Sequence, residues 1–184
     1  MIWRGIVFLV ATAFLVLVSR SSLRRPRSHG FFRFLAWETI VALLLLNVSW
    51  WFDDPLSWNQ LIAWFLLAAC VVPGVWGVVL LRSLGKPEEQ RFTDDSLVAF
   101  EKTTQLVTSG IYRYIRHPLY SSLLLLTWGI FFKHPSWVGG SLALASTLFL
   151  TLTALADEAE CVAFFGEQYV DYKRRTRRFI PFLF

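Results

Sequence analysis

Five apolar runs, separated by short polar stretches, organise the chain: Ile2–Val18, Phe34–Trp51, Leu56–Leu81, Pro118–Phe132 and Trp137–Ala156. A helix needs about 20 apolar residues, with a range of about 17–25, to cross the hydrocarbon of a bilayer. The first three runs and the fifth meet that requirement. The fourth has fifteen residues, which is short for an independent span. It is expected to pair with the fifth as a helical hairpin across Lys133-His134-Pro135-Ser136. The pattern predicts an all-α, polytopic membrane protein with about five transmembrane helices, the last two forming that hairpin. The first run resembles a signal-peptide h-region, but no small-x-small cleavage site follows it. It continues into Ser19-Arg20 and a basic stretch, and is read as a retained transmembrane helix.

Three interruptions modify the pattern. Glu38 lies near the basic end of the second helix and is expected at the interface; Asn47 lies near its other end. Pro73-Gly74 should kink the third helix. Gly85 to Thr104 is the longest polar connection and is mixed in charge, yet Leu97-Val98 and Phe100 make it too apolar for a plain linker. A short surface helix capped by Thr93 or Asp94 is expected there.

The length of 184 residues suits one domain. The hydrophobic share is 55%, above the roughly 45–50% of soluble domains, and the excess sits in the long runs. Net charge is +5, but its distribution is more informative. Sixteen of the eighteen Lys and Arg residues fall in three clusters: Arg20–Arg33, Arg82–Arg116 and Lys173–Arg178. Each cluster lies between apolar runs or after the last one, as the positive-inside rule requires. No nucleic-acid partner is implied; the partner is the lipid bilayer. Asp53-Asp54 marks the opposite face, where Arg4 and Lys133 also fall. The N-terminus is then outside and the C-terminus cytoplasmic, in an inner or plasma membrane. The two cysteines, Cys70 and Cys161, are too far apart for metal-ligand spacing, and a disulfide framework is not expected.

The densest chemical information lies between Gln105 and Tyr120. Gly110 permits a tight turn, and Pro118 suits the first position of a helix. That helix therefore starts right after Arg116-His117, with its free amides and positive dipole end at the cytoplasmic boundary, where an anionic group can bind. Arg113 and Arg116 add fixed charge. Tyr120 follows His117 by three residues and shares its helical face. An interfacial belt of aromatics and arginines would account for Tyr114 and Arg113, but less well for His-Pro-x-Tyr immediately before a short apolar hairpin.

Two further clusters follow. Asp157-Glu158-Ala-Glu160 places three acids at the basic end of the fifth helix, against the dipole preference there. They either pair with the basic tail or face a cationic ligand group. Phe165, Tyr169 and Tyr172 form one aromatic stripe, either on a surface amphipathic helix or on a lid over a site.

In that order, Leu106–Tyr120, an apolar hairpin, the acids, Phe-Gly-x-x-Tyr-x-x-Tyr and a closing basic-Pro segment resemble the isoprenylcysteine carboxyl methyltransferase family. The related phospholipid N-methyltransferases share the broad plan. The likeness covers residues 104–183, with 1–103 matching only as a hydrophobic frame. This divides the chain into N-terminal membrane helices with their connection (1–103) and a methyltransferase core (104–184) of one structural unit.

The resemblance implies an S-adenosylmethionine pocket facing the cytoplasm, under the last two membrane helices, and a lipophilic acceptor arriving from the bilayer. It implies that Thr104, Gln105, Leu106, Val107, Tyr112, His117, Pro118, Leu119 and Tyr120 hold the cofactor. An acid at the end of the fifth helix, Asp157 or Glu158 with Glu158 favoured, would contact its amino group. His117, Arg116 and Tyr120 are the candidate catalytic residues, His117 or an acid taking a proton where the nucleophile must lose one. No metal is implied. A non-catalytic membrane carrier or assembly protein of the same fold is the alternative. The arginine expected about one turn before the acids is replaced by Thr151-Leu-Thr-Ala-Leu-Ala156, with Thr153 as its nearest counterpart. Prenylcysteine carboxylates are therefore not expected to be efficient acceptors.

Overall fold

A computed structural model describes residues 2–85 and 103–181. The surface helix expected at Thr93 or Asp94 lies outside the described residues. Six α-helices follow one another: α1 (Ile2–Leu23), α2 (His29–Asn47), α3 (Trp58–Leu84), α4 (Pro118–Lys133), α5 (Trp137–Phe165) and α6 (Glu167–Arg175), with 3-10 turns at Val48–Trp50 and Gly110–Arg113. Local chemistry sets their starts. Ser28 accepts from the Phe31 amide at 3.2 Å ahead of α2, and Ser136 accepts from the Gly139 amide at 3.1 Å ahead of α5. Pro118 opens α4, where its missing N–H costs nothing.

Four helical segments are long and apolar enough to cross a membrane: Ile2–Leu23, His29–Trp50, Trp58–Leu84 and Trp137–Phe165. α4 has 16 residues and at ~1.5 Å per residue reaches about 24 Å, short of the ~30 Å hydrocarbon thickness. It packs antiparallel on α3 and is joined to α5 by the expected hairpin. The α3–α4 approach is close at Gly129, where a Cβ would meet Leu67 side-chain carbons at 2.9 Å and its backbone nitrogen at 3.2 Å. α3 remains helical through Pro73, and one turn before it the Cys70 carbonyl accepts from Ser122 of α4 at 2.7 Å. Ile40 and Leu43 of α2, Ile130 of α4 and Ala143 of α5 form the packed centre. Large apolar side chains such as Leu9, Phe14 and Leu17 of α1 and Phe65, Val72 and Val79 of α3 face outward, as lipid-facing helices require.

Two charged side chains have partners that the sequence does not announce. Glu38 lies nine residues into α2, where Thr12 of α1 donates to it at 2.8 Å. A carboxyl group within the bundle needs such a donor, and this one ties α1 to α2. Lys133 is not a surface charge on the far face. It is 1% exposed, donates to the Gln60 side chain at 2.9 Å and to the Trp51 carbonyl at 3.3 Å, and lies 3.0 Å from the Trp64 ring centroid and 5.1 Å from that of Trp51. The cation–π contacts replace part of its lost hydration.

The same end explains why α4 stops where it does. Its last carbonyls, which no helix satisfies internally, are taken by buried amides. Asn47 donates to Ile130 at 2.8 Å, Asn59 to Phe132 at 3.3 Å and Gln60 to Lys133 at 3.1 Å. Gln60 also donates to the Trp50 carbonyl at 2.8 Å. Gln60→Leu should therefore strand two carbonyls and one ammonium, lowering stability by roughly 1–3 kcal/mol. Adding Lys133→Met should recover part of that loss, since both polar partners are then apolar. Thermal unfolding in detergent, followed by tryptophan fluorescence, measures both. An unchanged midpoint for Gln60→Leu would show that this network carries no stability.

Candidate active site

At the opposite end of the bundle the chain returns to itself. The C-terminal segment runs beside the stretch that precedes α4. Arg116 and His117 donate from their backbones to the carbonyls of Arg177 and Arg178 at 2.8 and 3.1 Å, and Arg177 donates to Tyr114 at 3.0 Å. Gly110, with φ +59°, turns the chain beneath α3. A Cβ there would lie 2.5 Å from Leu80 and would occupy the left-handed region, so both space and conformation call for glycine. Tyr172 of α6 donates to the Tyr112 carbonyl at 2.7 Å and ties α6 to that turn.

Glu158 is the hub of this region. It is 2% exposed, and four cationic side chains converge on it. Arg116 Nε and Nη2 lie 3.1 and 3.0 Å from Oε1, Arg178 Nε lies 3.0 Å from Oε1, Lys173 Nζ lies 3.0 Å from Oε2, and His117 Nε2 lies 3.3 Å from Oε1. Isolation of a carboxylate from water costs several kcal/mol, and only this density of partners offsets it.

Asp157, one residue earlier on α5, faces a different environment. Its Oδ2 lies 3.5 Å from His117 Nδ1 and accepts from the Tyr120 hydroxyl at 3.4 Å. It lines a narrow recess of ≈ 100 Å³, below the roughly 300–1,000 Å³ of small-molecule sites, so a bound cofactor would have to widen it. Leu81, Leu106, Val107, Pro118 and Leu119 supply apolar wall, and Tyr112, Tyr120, Phe165, Tyr169 and Tyr172 supply aromatic wall. Thr103, Arg116, His117 and Cys161 complete it. Burial pushes the Tyr169 and Tyr172 hydroxyls well above the usual tyrosine range, so both are neutral donors. Burial opposes charge on His117, but hydrogen bonds and charge from Asp157 and Glu158 outweigh it and raise its pKa above 6.5. Both ring nitrogens face carboxylates, which favours the cationic form of His117.

Of the residues singled out from sequence, Leu106, Val107, Tyr112, Arg116, His117, Pro118, Leu119, Tyr120 and Asp157 line the recess. Thr104, Gln105 and Glu158 are not on its wall. The backbone amides of Thr104 and Gln105 donate to the Gly85 carbonyl at 3.0 and 3.3 Å, and Glu158 is turned toward the cations. Leu81, Thr103 and Cys161 had no signal of their own in the sequence. The Phe165, Tyr169 and Tyr172 stripe did, as one of two readings of α6, and it faces inward. His29 was also missed. Its backbone amide and Nδ1 lie 3.2 and 2.5 Å from the Glu160 carboxylate, a pairing across 131 positions that no local spacing announces.

Similarity to known proteins bears on the same region. A methanethiol S-methyltransferase of Bradyrhizobium diazoefficiens is 36% identical over 79 residues, 42% of this chain and 29% of that protein. The human protein-S-isoprenylcysteine O-methyltransferase is 35% identical over 83 residues, 44% of this chain and 29% of its own length. The mouse enzyme of that name is 28% identical over 171 residues, 89% of this chain and 59% of that protein. The matched stretches thus span less than two thirds of these relatives. No solved structure matches significantly. The sequence profile described as phospholipid methyltransferase matches residues 58–168. This match begins at the first residue of α3, upstream of residue 104. It covers more than half of the chain, and the chain belongs to the phospholipid methyltransferase family.

Proposed function

We propose that this protein is a membrane methyltransferase that uses S-adenosylmethionine and a lipophilic acceptor, with the recess as its cofactor site. The observation that carries this reading is the Asp157 carboxylate facing a recess walled by five aromatic rings. The residues fit the group. Asp157 offers the anion for an ammonium, the aromatic faces suit a sulfonium, and the first turn of α4 at Leu119 offers amides for a carboxylate. The cofactor supplies an already activated methyl group. The protein's part is to align acceptor and cofactor and to exclude water. Glu158 is saturated by its own cations, so the ammonium partner is Asp157 rather than Glu158. The basic loops at this end support a cytoplasmic position for it.

An apolar groove at the membrane-facing side gives the acceptor a place. Pro73 of α3, Leu124, Leu125 and Trp128 of α4, and Phe179, Ile180 and Pro181 of the C-terminal segment line it. Phe179 packs with Tyr120 and stands 6.2 Å, centroid to centroid, from His117, between groove and recess. The hydroxyls along the groove are spent on backbone carbonyls: Ser121 on Phe179, Thr147 on Ala143 and Thr151 on Thr147, each at 2.8 Å. Thr153 is fully buried and donates to Phe149 at 2.7 Å. The cations nearest the site are held by Glu158. Among the described residues no Lys or Arg lines this groove, so a carboxylate acceptor meets no positive partner in it, and an uncharged nucleophile such as a thiol or an amine fits better. Methylation of a thiol or an amine releases one proton, which leaves to water at the open mouth of the recess, because Asp157 and Glu158 hold His117 toward its protonated form.

Three measurements test these assignments. Asp157→Asn should weaken S-adenosylmethionine binding about tenfold to hundredfold, the effect of roughly 1.5–3 kcal/mol, with little change in melting. Glu158→Gln should instead destabilise the fold by about 3–5 kcal/mol, as loss of one partner from a buried ion cluster does. Equal binding by Asp157→Asn and the parent would remove Asp157 from the site. Because the folded-state pKa of His117 lies above 6.5, its stabilising contribution is full below about pH 6.5 and is lost as pH rises through the raised value. The melting midpoint of the cofactor-free protein should fall as pH rises above about 6.5, and His117→Gln should flatten the fall. A parallel decline in both proteins would assign the effect elsewhere. For the acceptor, methyl transfer should be faster to an alkyl thiol or to phosphatidylethanolamine vesicles than to a farnesylated cysteine analogue; preference for the farnesylated carboxylate would overturn the acceptor class.

A further inference from the structure

Beside the recess lies a second, polar groove, and Leu106 and Tyr172 line both. Arg113, from the 3-10 turn before α4, and Arg175, from the end of α6, both line it, with Thr108 and Gln168 as further polar wall. Both arginines are exposed. Neither has an ion-pair or hydrogen-bond partner among the described residues. The acid in the groove, Asp171, is held by Arg174 at 3.1 Å, so it does not neutralise them. This contrasts with Arg116 and Arg178 a few residues away, whose charges Glu158 absorbs. Two forked cations brought together from distant parts of the chain and left without an anion form a receptor for a group with several acceptor oxygens.

Depth identifies the group. Gly110, at the start of the turn that carries Arg113, packs against Trp76 and Leu80 near the end of α3, within the segment long and apolar enough to cross the membrane. Tyr114 is 47% exposed and Ile180 52% exposed, an aromatic and an aliphatic anchor at the same end. Arginines beside interfacial anchors stand at headgroup level, where the bilayer itself presents phosphate. We propose that this groove seats the phosphate of an anionic phospholipid of the surrounding membrane. The bound phosphate bridges Arg113 to Arg175 and so clamps α6 to the turn before α4. α6 also carries Lys173, which holds Glu158, and Tyr172, which lines the recess. Lipid occupancy and recess stability are then linked by mass action. The inference stands whether or not the recess binds S-adenosylmethionine.

The test uses the full chain in nanodiscs of phosphatidylcholine with and without phosphatidylglycerol. Retained lipid is read by native mass spectrometry, and the melting midpoint is read in parallel. Phosphatidylglycerol should be retained selectively and should raise the midpoint. Each arginine's charge-assisted hydrogen bonding to the phosphate contributes about tenfold in affinity, so R113Q/R175Q should lose on the order of 100-fold in retention. R113K/R175K, which keeps charge but loses the fork, should fall in between. R20Q/R24Q removes equal charge from the first loop and should retain the lipid. An equal loss in R20Q/R24Q would show general surface attraction and overturn the groove. Protection by inorganic phosphate in detergent without selective lipid retention would assign the groove to a soluble anion and also overturn the proposal.

Discussion

A single carboxylate, that of Glu158, joins four segments of the chain at one point. It lies on α5 and is buried, so its charge must be matched within the protein. Arg116 and His117 reach it from the stretch before α4, Lys173 from α6 and Arg178 from the C-terminal segment. The desolvation cost of an isolated buried ion makes this convergence obligatory. Its geometric result is that the N-terminus of α4, the end of α5 and the aromatic face of α6 surround one recess. Asp157, the neighbouring acid, is thereby left facing inward with His117 and Tyr120 as partners.

The far end of the bundle answers a different problem by similar means. α4 is too short to carry its C-terminal carbonyls into water, and Asn47, Asn59 and Gln60 satisfy them in place. Lys133 is held among Gln60, Trp51 and Trp64. Between these two polar ends the helices pack through small residues and aliphatic side chains, with apolar surface turned to lipid. The short α4 is thus fixed at both ends, which keeps its first turn, and the recess residues on it, in a constant position. His29 and Glu160 add a tie from α2 to the same end of α5.

Much of the candidate site is legible in the order of residues along the chain. Arg116-His117-Pro118 announces a helix start with fixed charge, and Tyr120 follows on the same face. The acids at the end of α5 stand out because they oppose both the dipole and the charge trend. Local spacing does not say which acid does what. Asp157 and Glu158 are adjacent, carry the same chemistry and differ only in the direction that α5 points them. Thr104 and Gln105 illustrate the same limit: their place in the motif is right beside the recess, yet their backbone amides are engaged by Gly85.

The hydrophobic pattern by itself determined the helical class, the number of apolar runs, the short fourth helix and its hairpin with the fifth. These follow from the requirement that backbone polar groups be satisfied inside each segment in lipid, a condition that acts along the chain and is therefore written along it. The tertiary structure alone decided that Lys133 is buried, that Glu38 serves Thr12, that His29 meets Glu160 and that Glu158 rather than Asp157 collects the cations. Each of these is a charge or hydrogen bond satisfied across sequence distances of 15 to 131 residues. Such pairings depend on which faces the packed helices present to each other, and helix rotation is set by the sum of many small contacts rather than by any local motif.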